Sequence, residues 1–202
     1  MEYDRADKEV AEMSKIKVNE QRAVDEFQEL TAIDAPSFGE RQMADRLIVK
    51  LKELGFEVEE DNAGKHFGGN AGNLYAYLPG DLPGDSVLLS GHMDTVEPSK
   101  GKKGIIGEDG VIRSAGKAVL GADDVAGLVE ILEGIRSVKE AGVPHRDIEI
   151  LFTIAEELYI KGSSVFDFSK VRAKGRENDA GRIQTYWISA DRLEARHIKH
   201  RL

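Results

Sequence analysis

The chain has 202 residues, of which 41% are hydrophobic and 32% are charged, so it is long enough to bury one ordinary core. Its formal net charge of −9 argues against a general binder of nucleic acid or of anionic membranes. The absence of cysteine excludes disulfides, thiolate metal ligands and thiol nucleophiles, and it fits a cytoplasmic protein. No stretch approaches 18 consecutive apolar residues, and the charged N-terminus does not resemble a secretory signal.

The first half of the chain predicts two helices followed by two strands. Apolar residues recur at helical spacing over residues 19–33 and again over 39–54, where Gly55 provides a natural end. The segment FEVEED, residues 56–61, alternates like an edge strand, and a second strand over 74–78 follows a loop rich in Gly and Asn.

The second half predicts two interior strands that flank an amphipathic helix. Residues 86–90 form a buried strand, and residues 104–113 form a hairpin that turns at Asp109-Gly110. Residues 124–140 have apolar side chains on one face of a helix, and IEILFTIAEE, residues 148–157, forms a second interior strand. Strands that alternate with helices predict an α/β fold in which helices pack on a sheet.

Three polar clusters lie next to the interior strands and the long helix. They are His92 with Asp94, Asp123 with Asp124, and Glu156 with Glu157. The first and third clusters follow strands and the second precedes a helix. Since strand ends and helix starts line the same edge of an open α/β sheet, we expect the three clusters to meet there.

Each cluster also has an ordinary structural interpretation. The first can be a loop histidine beside a turn aspartate, the second a helix N-cap, and the third a solvated strand end. However, two adjacent carboxylates at the end of an apolar strand repel each other and lose hydration, and a bound cation relieves both costs. The three clusters together, without sulfur, favour zinc or a related divalent ion in a hydrolytic site.

The motifs of these clusters resemble those of the di-zinc exopeptidases, and in particular the peptidase T, or tripeptide aminopeptidase, branch. The segments are SGHMDTVEP (90–98), LGADD (120–124) with Ala126-Gly127 close behind, and FTIAEE (152–157). GGNAGNLYAYLPG (68–80) and SFGERQMADRLIVKLKELGFEVEED (37–61) are also similar to segments of that branch. The resemblance covers roughly residues 16–172 and implies a three-layer α/β/α catalytic domain.

The resemblance also implies a set of metal ligands. His92 is expected to bind one zinc ion, and Asp94 is expected to orient the imidazole of His92. Asp123, joined to Asp124 by a cis peptide bond, is expected to bridge two zinc ions. Glu157 is expected to bind the second ion.

By the same resemblance, Glu156 is expected to be the general base of the reaction. The implied activity is hydrolysis of peptide bonds in small peptides by a water activated by two zinc ions, with cobalt and manganese as alternative metals. The expected partner is a small peptide substrate, and no nucleic acid or membrane is expected.

The sequence departs from the family pattern at its C-terminal end. An aspartate on a following strand and a histidine near the C-terminus, the expected third ligands of the two ions, are not recognisable, and the lid or dimerisation domain is absent. Residues 170–202 carry nine Lys and Arg against four Asp and Glu, although the chain as a whole is acidic. We divide the chain into an N-terminal extension (1–13), a partial zinc peptidase catalytic domain (14–172) and an atypical basic tail (173–202). We expect a truncated or frame-shifted gene product with little or no peptidase activity.

Two alternative functions remain open from the sequence. One is an inactive remnant or interaction module of the same fold, which self-associates through an exposed sheet edge. The other is a related deacylase or dipeptidase with the same type of site.

Overall fold

The computed structural model describes residues 14–173, which form six strands and several helices. The proposed extension (1–13) and nearly all of the proposed basic tail lie outside the described residues. In chain order the elements are α1 (Glu20–Thr31), α2 (Arg41–Glu53), β1 (Glu57–Glu60), α3 (Ala63–Phe67), β2 (Leu74–Leu78), β3 (Val87–His92), β4 (Gly104–Ile106), β5 (Ile112–Ser114), α4 (Ala122–Ala141), β6 (Ile148–Thr153), α5 (Lys161–Ser164) and a 3-10 helix (Phe168–Lys170).

The ends of the helices follow the local sequence. Asn19 caps α1, because its side chain accepts a hydrogen bond of 3.0 Å from the backbone N–H of Arg22. Gly55, two residues after the end of α2, has a φ of 87°, and Gly142, directly after α4, has a φ of 62°. Both glycines adopt the left-handed conformation that ends a helix at little steric cost.

Four strands form one mixed sheet in the order β1-β2-β6-β3. Strands β1 and β2 are antiparallel, β2 and β6 are antiparallel, and β3 runs parallel to β6. The register pairs His92 with Thr153, so β3 and β6 end side by side. The predicted hairpin is confirmed as a separate two-stranded sheet of β4 and β5.

The core lies between the sheet and the helices packed on it. Helix α2 contacts β1 and β2, and α4 contacts β3 and α1. Large apolar side chains with no exposed surface fill this space, namely Leu30, Met43, Leu47, Leu51, Leu74, Leu128, Leu132, Ile150 and Phe152. Each such side chain contributes roughly 1.5–3 kcal/mol through its burial. Within residues 14–173, no helix combines the length and the apolar character needed to cross a membrane.

Two of the predicted strands differ in detail from the structure. The sequence predicts that β3 is buried, yet Val87 is 45% exposed, because β3 has only β6 beside it among the described residues. The strand predicted to run through Glu157 ends at Thr153. Two residues later, Ala155 has a φ of 48°, which is incompatible with an extended strand.

A buried carboxylate on α4 fixes the start of α1. Glu133 accepts hydrogen bonds from the backbone N–H of Asn19 (2.8 Å), from Arg22 Nε (2.7 Å), from Arg136 Nη1 (3.1 Å) and from Ser137 Oγ (3.0 Å). Burial alone would raise the pKa of Glu133, but the hydrogen bonds from Arg22 and Asn19 lower it to about 2. The carboxylate therefore stays charged inside the protein.

This arrangement predicts a stability loss in acid. Because the folded-state pKa of Glu133 lies below its ordinary value of 4.5, its contribution to stability is complete above pH 4.5 and is lost as the pH falls towards about 2. We expect Glu133→Gln to lower the free energy of unfolding by about 1.5–3 kcal/mol near neutral pH, measured by urea denaturation. The difference from wild type should shrink in acid.

Glu140→Gln is the matched control, since Glu140 pairs with the same Arg22 but is exposed. We expect it to change stability little at any pH. An equal effect of the two substitutions would contradict the role of burial at Glu133.

Candidate metal centre

The three polar clusters meet at the edge of the sheet where β3 and β6 end. His92 is the last residue of β3, Asp123 lies at the start of α4, and Glu157 lies in the loop after β6. One potential ligand atom from each of these three residues lies within 4.8 Å of the other two. The parallel pairing of β3 with β6 thus brings together residues that are far apart in the sequence.

The imidazole of His92 is held from one side and faces carboxylates on the other. Its Nδ1 lies 2.9 Å from the backbone carbonyl oxygen of Asp94 and 3.4 Å from Asp94 Oδ1. Its Nε2 lies 3.0 Å from Asp123 Oδ1 and 3.8 Å from Glu156 Oε2. The ring orientation thus presents Nε2 to the site, as in metal-binding histidines whose other nitrogen donates to an oxygen.

Asp94 has no exposed surface and lies between the two strand ends. Its carboxylate accepts hydrogen bonds from Ser37 Oγ (2.6 Å) and from the backbone N–H groups of Glu156 (2.9 Å) and Glu157 (3.2 Å). Burial alone would raise the pKa of Asp94, but the hydrogen bonds with His92 and Ser37 bring it below its ordinary value. The assignment of its carboxylate to the orientation of His92 stays a prediction, since the shorter contact of the ring is with the carbonyl.

The Asp123-Asp124 peptide bond is cis, and both residues have non-helical backbone angles at the start of α4. The side chain of Asp123 is 84% exposed and projects outward. Asp124 turns inward, where its Oδ2 accepts a 3.2 Å hydrogen bond from the backbone N–H of His92. A methyl group on Gly91 would lie only 2.7 Å from that oxygen, so a larger residue where β3 passes Asp124 would displace the Asp124 side chain.

The two glutamates differ in their surroundings. Glu156 is 39% exposed, and Glu157 belongs to the group of three residues that can hold an ion. Burial raises the pKa of Glu157. Two residues after Glu157, Tyr159 has a φ of 65°, a backbone conformation that favours glycine, and its side chain lies almost entirely in solvent.

The site carries more negative charge than its one imidazole can balance. Burial raises the pKa of Asp124 to about 6. Burial alone would lower the pKa of His92, but the hydrogen bond with Asp94 and the attraction of Asp124 raise it to about 9. A cation between these groups would remove the repulsion between the carboxylates.

The residues fit a divalent metal ion such as zinc. The donors are one imidazole nitrogen and carboxylate oxygens, which are ordinary zinc ligands. The 3.0 Å between His92 Nε2 and Asp123 Oδ1 is close to the roughly 3.3 Å that separates two ligands of a tetrahedral zinc ion. The contact between Nδ1 of His92 and the backbone carbonyl oxygen of Asp94 also holds the imidazole in place, as a metal ligand requires.

Comparison with known proteins identifies the family of the chain and supports its fold. Residues 73–180, which contain all three clusters, match peptidase family M28. The chain belongs to peptidase family M28. It is 40% identical to the aminopeptidase PepT from Bacillus cereus, with a TM-score of 0.75 over 78% of this chain and 42% of PepT. A tripeptidase from Staphylococcus aureus gives 36% identity and a TM-score of 0.75 over 77% of this chain and 42% of that structure.

Among curated proteins, the uncharacterized protein YqjE from Bacillus subtilis is 38% identical over 156 residues, which is 77% of this chain and 42% of YqjE. The chain thus spans less than half the length of these relatives. The matches confirm the prediction of a peptidase T-like chain and of an α/β exopeptidase catalytic fold. The assignment of individual site residues rests on the geometry of this chain.

Sequence reasoning overlooked several residues that support the site. Ser37 donates a hydrogen bond to Asp94, and Glu40 and Asn73 accept hydrogen bonds from the backbone after β6. Ser37, Glu40 and Asn73 lie in the two segments that resemble the peptidase T branch outside the three clusters. That resemblance was the only signal in the sequence that pointed to them.

The geometry predicts that metal binding depends on His92 and Glu157. We expect titration with Co²⁺, followed by its visible absorption, to show binding to the wild-type chain. His92→Ala and Glu157→Ala should each weaken the affinity by at least about 10-fold, because each removes a ligand atom.

Glu20→Ala is the control, because Glu20 is an exposed carboxylate at the start of α1. It should bind Co²⁺ as the wild type does. Equal affinity for the wild type and Glu157→Ala would remove Glu157 from the ligand set.

Proposed function

We propose that the chain carries the metal-binding part of a zinc-dependent exopeptidase that hydrolyses small peptides with a free amino terminus. The observation that carries this proposal is the convergence of His92, Asp123 and Glu157 at one edge of the sheet. The similarity to an aminopeptidase and to a tripeptidase supports the reaction and the substrate class.

The ligands divide between two zinc ions. His92 and Asp123 would hold one ion, and Glu157 together with Asp123 would hold the other. Zinc held by these residues would supply a water of lowered pKa and a Lewis acid for the carbonyl group of the peptide. Cobalt and manganese accept the same nitrogen and oxygen donors.

Glu156 acts as the general base in this proposal. Its carboxylate is partly exposed and lies 3.8 Å from His92 Nε2, at the margin of the ligand group. It accepts a proton from the attacking water and passes it to the departing amine. Asp94 holds the backbone N–H of Glu156 and so fixes the start of this side chain.

The described residues supply two protein ligands for each ion, whereas catalytic zinc sites usually have three. We therefore propose that a site made of His92, Asp123 and Glu157 alone binds metal more weakly than a three-ligand zinc site and supports slow peptide hydrolysis at most. Excess zinc with a tripeptide, followed by amino-acid analysis over a long incubation, measures this rate. Turnover at an ordinary enzymatic rate of about 10 s⁻¹ would show that the chain completes the site by itself.

The variant Glu156→Gln tests the role of Glu156 as the general base separately from metal binding. We expect this variant to keep its affinity for Co²⁺ within a few-fold of wild type, while the slow cleavage of a tripeptide falls by a factor of about 10²–10⁴. Glu157→Ala, in contrast, should lose affinity and cleavage together. If wild type and Glu156→Gln produced the same amount of product, the role of Glu156 as the base would be wrong.

A further inference from the structure

Four consecutive backbone amides, those of residues 154–157, each donate a hydrogen bond to a side chain from a distant part of the chain. Asn73 Oδ1 accepts from the first amide at 3.1 Å, and Glu40 Oε1 accepts from the second at 3.0 Å. The two carboxylate oxygens of Asp94 accept from the third and fourth at 2.9 and 3.2 Å. We call Asn73, Glu40 and Asp94 the amide cradle.

The amide cradle supplies hydrogen-bond acceptors just beyond the C-terminal end of β6. Strand β6 ends at Thr153, so the amides of residues 154–157 lie beyond the ladder of strand hydrogen bonds. Buried amides need partners, and here side chains replace the neighbouring strands. All three cradle residues have no exposed surface, and the hydrogen bonds to Asn73 and Glu40 are fully buried.

The cradle side chains are themselves fixed. Asn73 Nδ2 donates to Asp61 Oδ2 (2.7 Å) and to the carbonyl oxygen of Gly162 (3.0 Å). Glu40 Oε1 also accepts from the backbone N–H of Phe38 at 2.8 Å. These hydrogen bonds fix the positions of the acceptor atoms of Asn73 and Glu40. They thereby fix the backbone amides that donate to those atoms.

The held segment is the one that presents Glu156 and Glu157. Within it Ala155 has a φ of 48°, which an alanine adopts only where the surrounding contacts impose it. The backbone N–H of this same residue, Ala155, donates the hydrogen bond to Glu40. The direction in which the two glutamate side chains leave the backbone therefore depends on Glu40.

We propose that Glu40 and Asn73 are positioning residues of the metal site, which act through the backbone rather than by touching metal or substrate. The proposal rests on the proposed function, because it assumes that Glu157 binds a metal ion. Glu40 and Asn73 hold the amides of residues 154 and 155, and through them they place Glu157 within reach of the ion.

The test compares variants that remove a hydrogen-bond acceptor with a variant that keeps it. Glu40→Ala and Asn73→Ala remove the acceptors, and we expect each to weaken Co²⁺ affinity about 10- to 100-fold, the usual effect of losing a residue that orients a ligand. The visible spectrum of bound Co²⁺ should change as well, since it reports the ligand geometry. Glu40→Gln should restore both, because the amide oxygen still accepts and because Glu40 Oε2 has no hydrogen-bond partner within residues 14–173.

Glu149→Ala is the matched control for a general loss of stability. Glu149 is also fully buried, lies on β6 away from its C-terminal end, and accepts hydrogen bonds from Tyr75 and Ser86. We expect this variant to be less stable but to keep the Co²⁺ affinity and spectrum of the wild type. If Glu40→Ala bound Co²⁺ as Glu149→Ala does, the proposal would be overturned.

Amide hydrogen exchange, measured by NMR without metal, tests the cradle independently of the proposed function. The amide of Ala155 should exchange at least 10-fold faster in Glu40→Ala, relative to the amides of β6, and should return to the wild-type rate in Glu40→Gln. Unchanged exchange at Ala155 would overturn the proposal even if metal binding fell. Absence of Co²⁺ binding by the wild type would instead refute the proposed function, and the exchange rates would still decide whether Glu40 holds this segment.

Discussion

The buried carboxylate of Asp94 contacts both halves of the site. It bonds the backbone of Glu156 and Glu157 after one strand and lies beside the imidazole of His92 at the end of the other. A buried carboxylate without partners is strongly destabilising, and this one is compensated by Ser37 as well. The loop that bears the two glutamates therefore cannot move relative to His92 without breaking bonds to a charged group.

The charge balance of the site depends on this same arrangement. Hydrogen bonds keep Asp94 ionised, whereas burial raises the pKa of Asp124 and of Glu157. The carboxylates of Asp123 and Glu156 lie 3.0 and 3.8 Å from Nε2 of His92. The fold thus tolerates a local excess of negative charge in a place where a divalent cation has an imidazole and carboxylates to bind.

Local pattern was sufficient to predict the elements and the meeting of the clusters. Helical spacing predicted α1, α2 and α4, and the position of polar residues after interior strands predicted one shared edge. The sequence pattern could not predict the amide cradle, because 115 residues separate Glu40 from Ala155 and 81 separate Asn73 from Ile154. Periodicity carries no information on such contacts. The exposure of Val87 was also missed, because an apolar run does not reveal whether a second strand covers it.

The parallel pairing of β3 with β6 has a thermodynamic consequence. The groups that it brings together come from positions far apart in sequence, as the 62 residues between Asp94 and Glu156 illustrate. An extended chain cannot offer these donors to one ion at the same time, so an ion that binds here selects the native state. By mass action, an ion at 100 times its dissociation constant adds about 2.7 kcal/mol to the free energy of unfolding. The concentration of available metal then sets the melting temperature of the domain as well as the occupancy of its site.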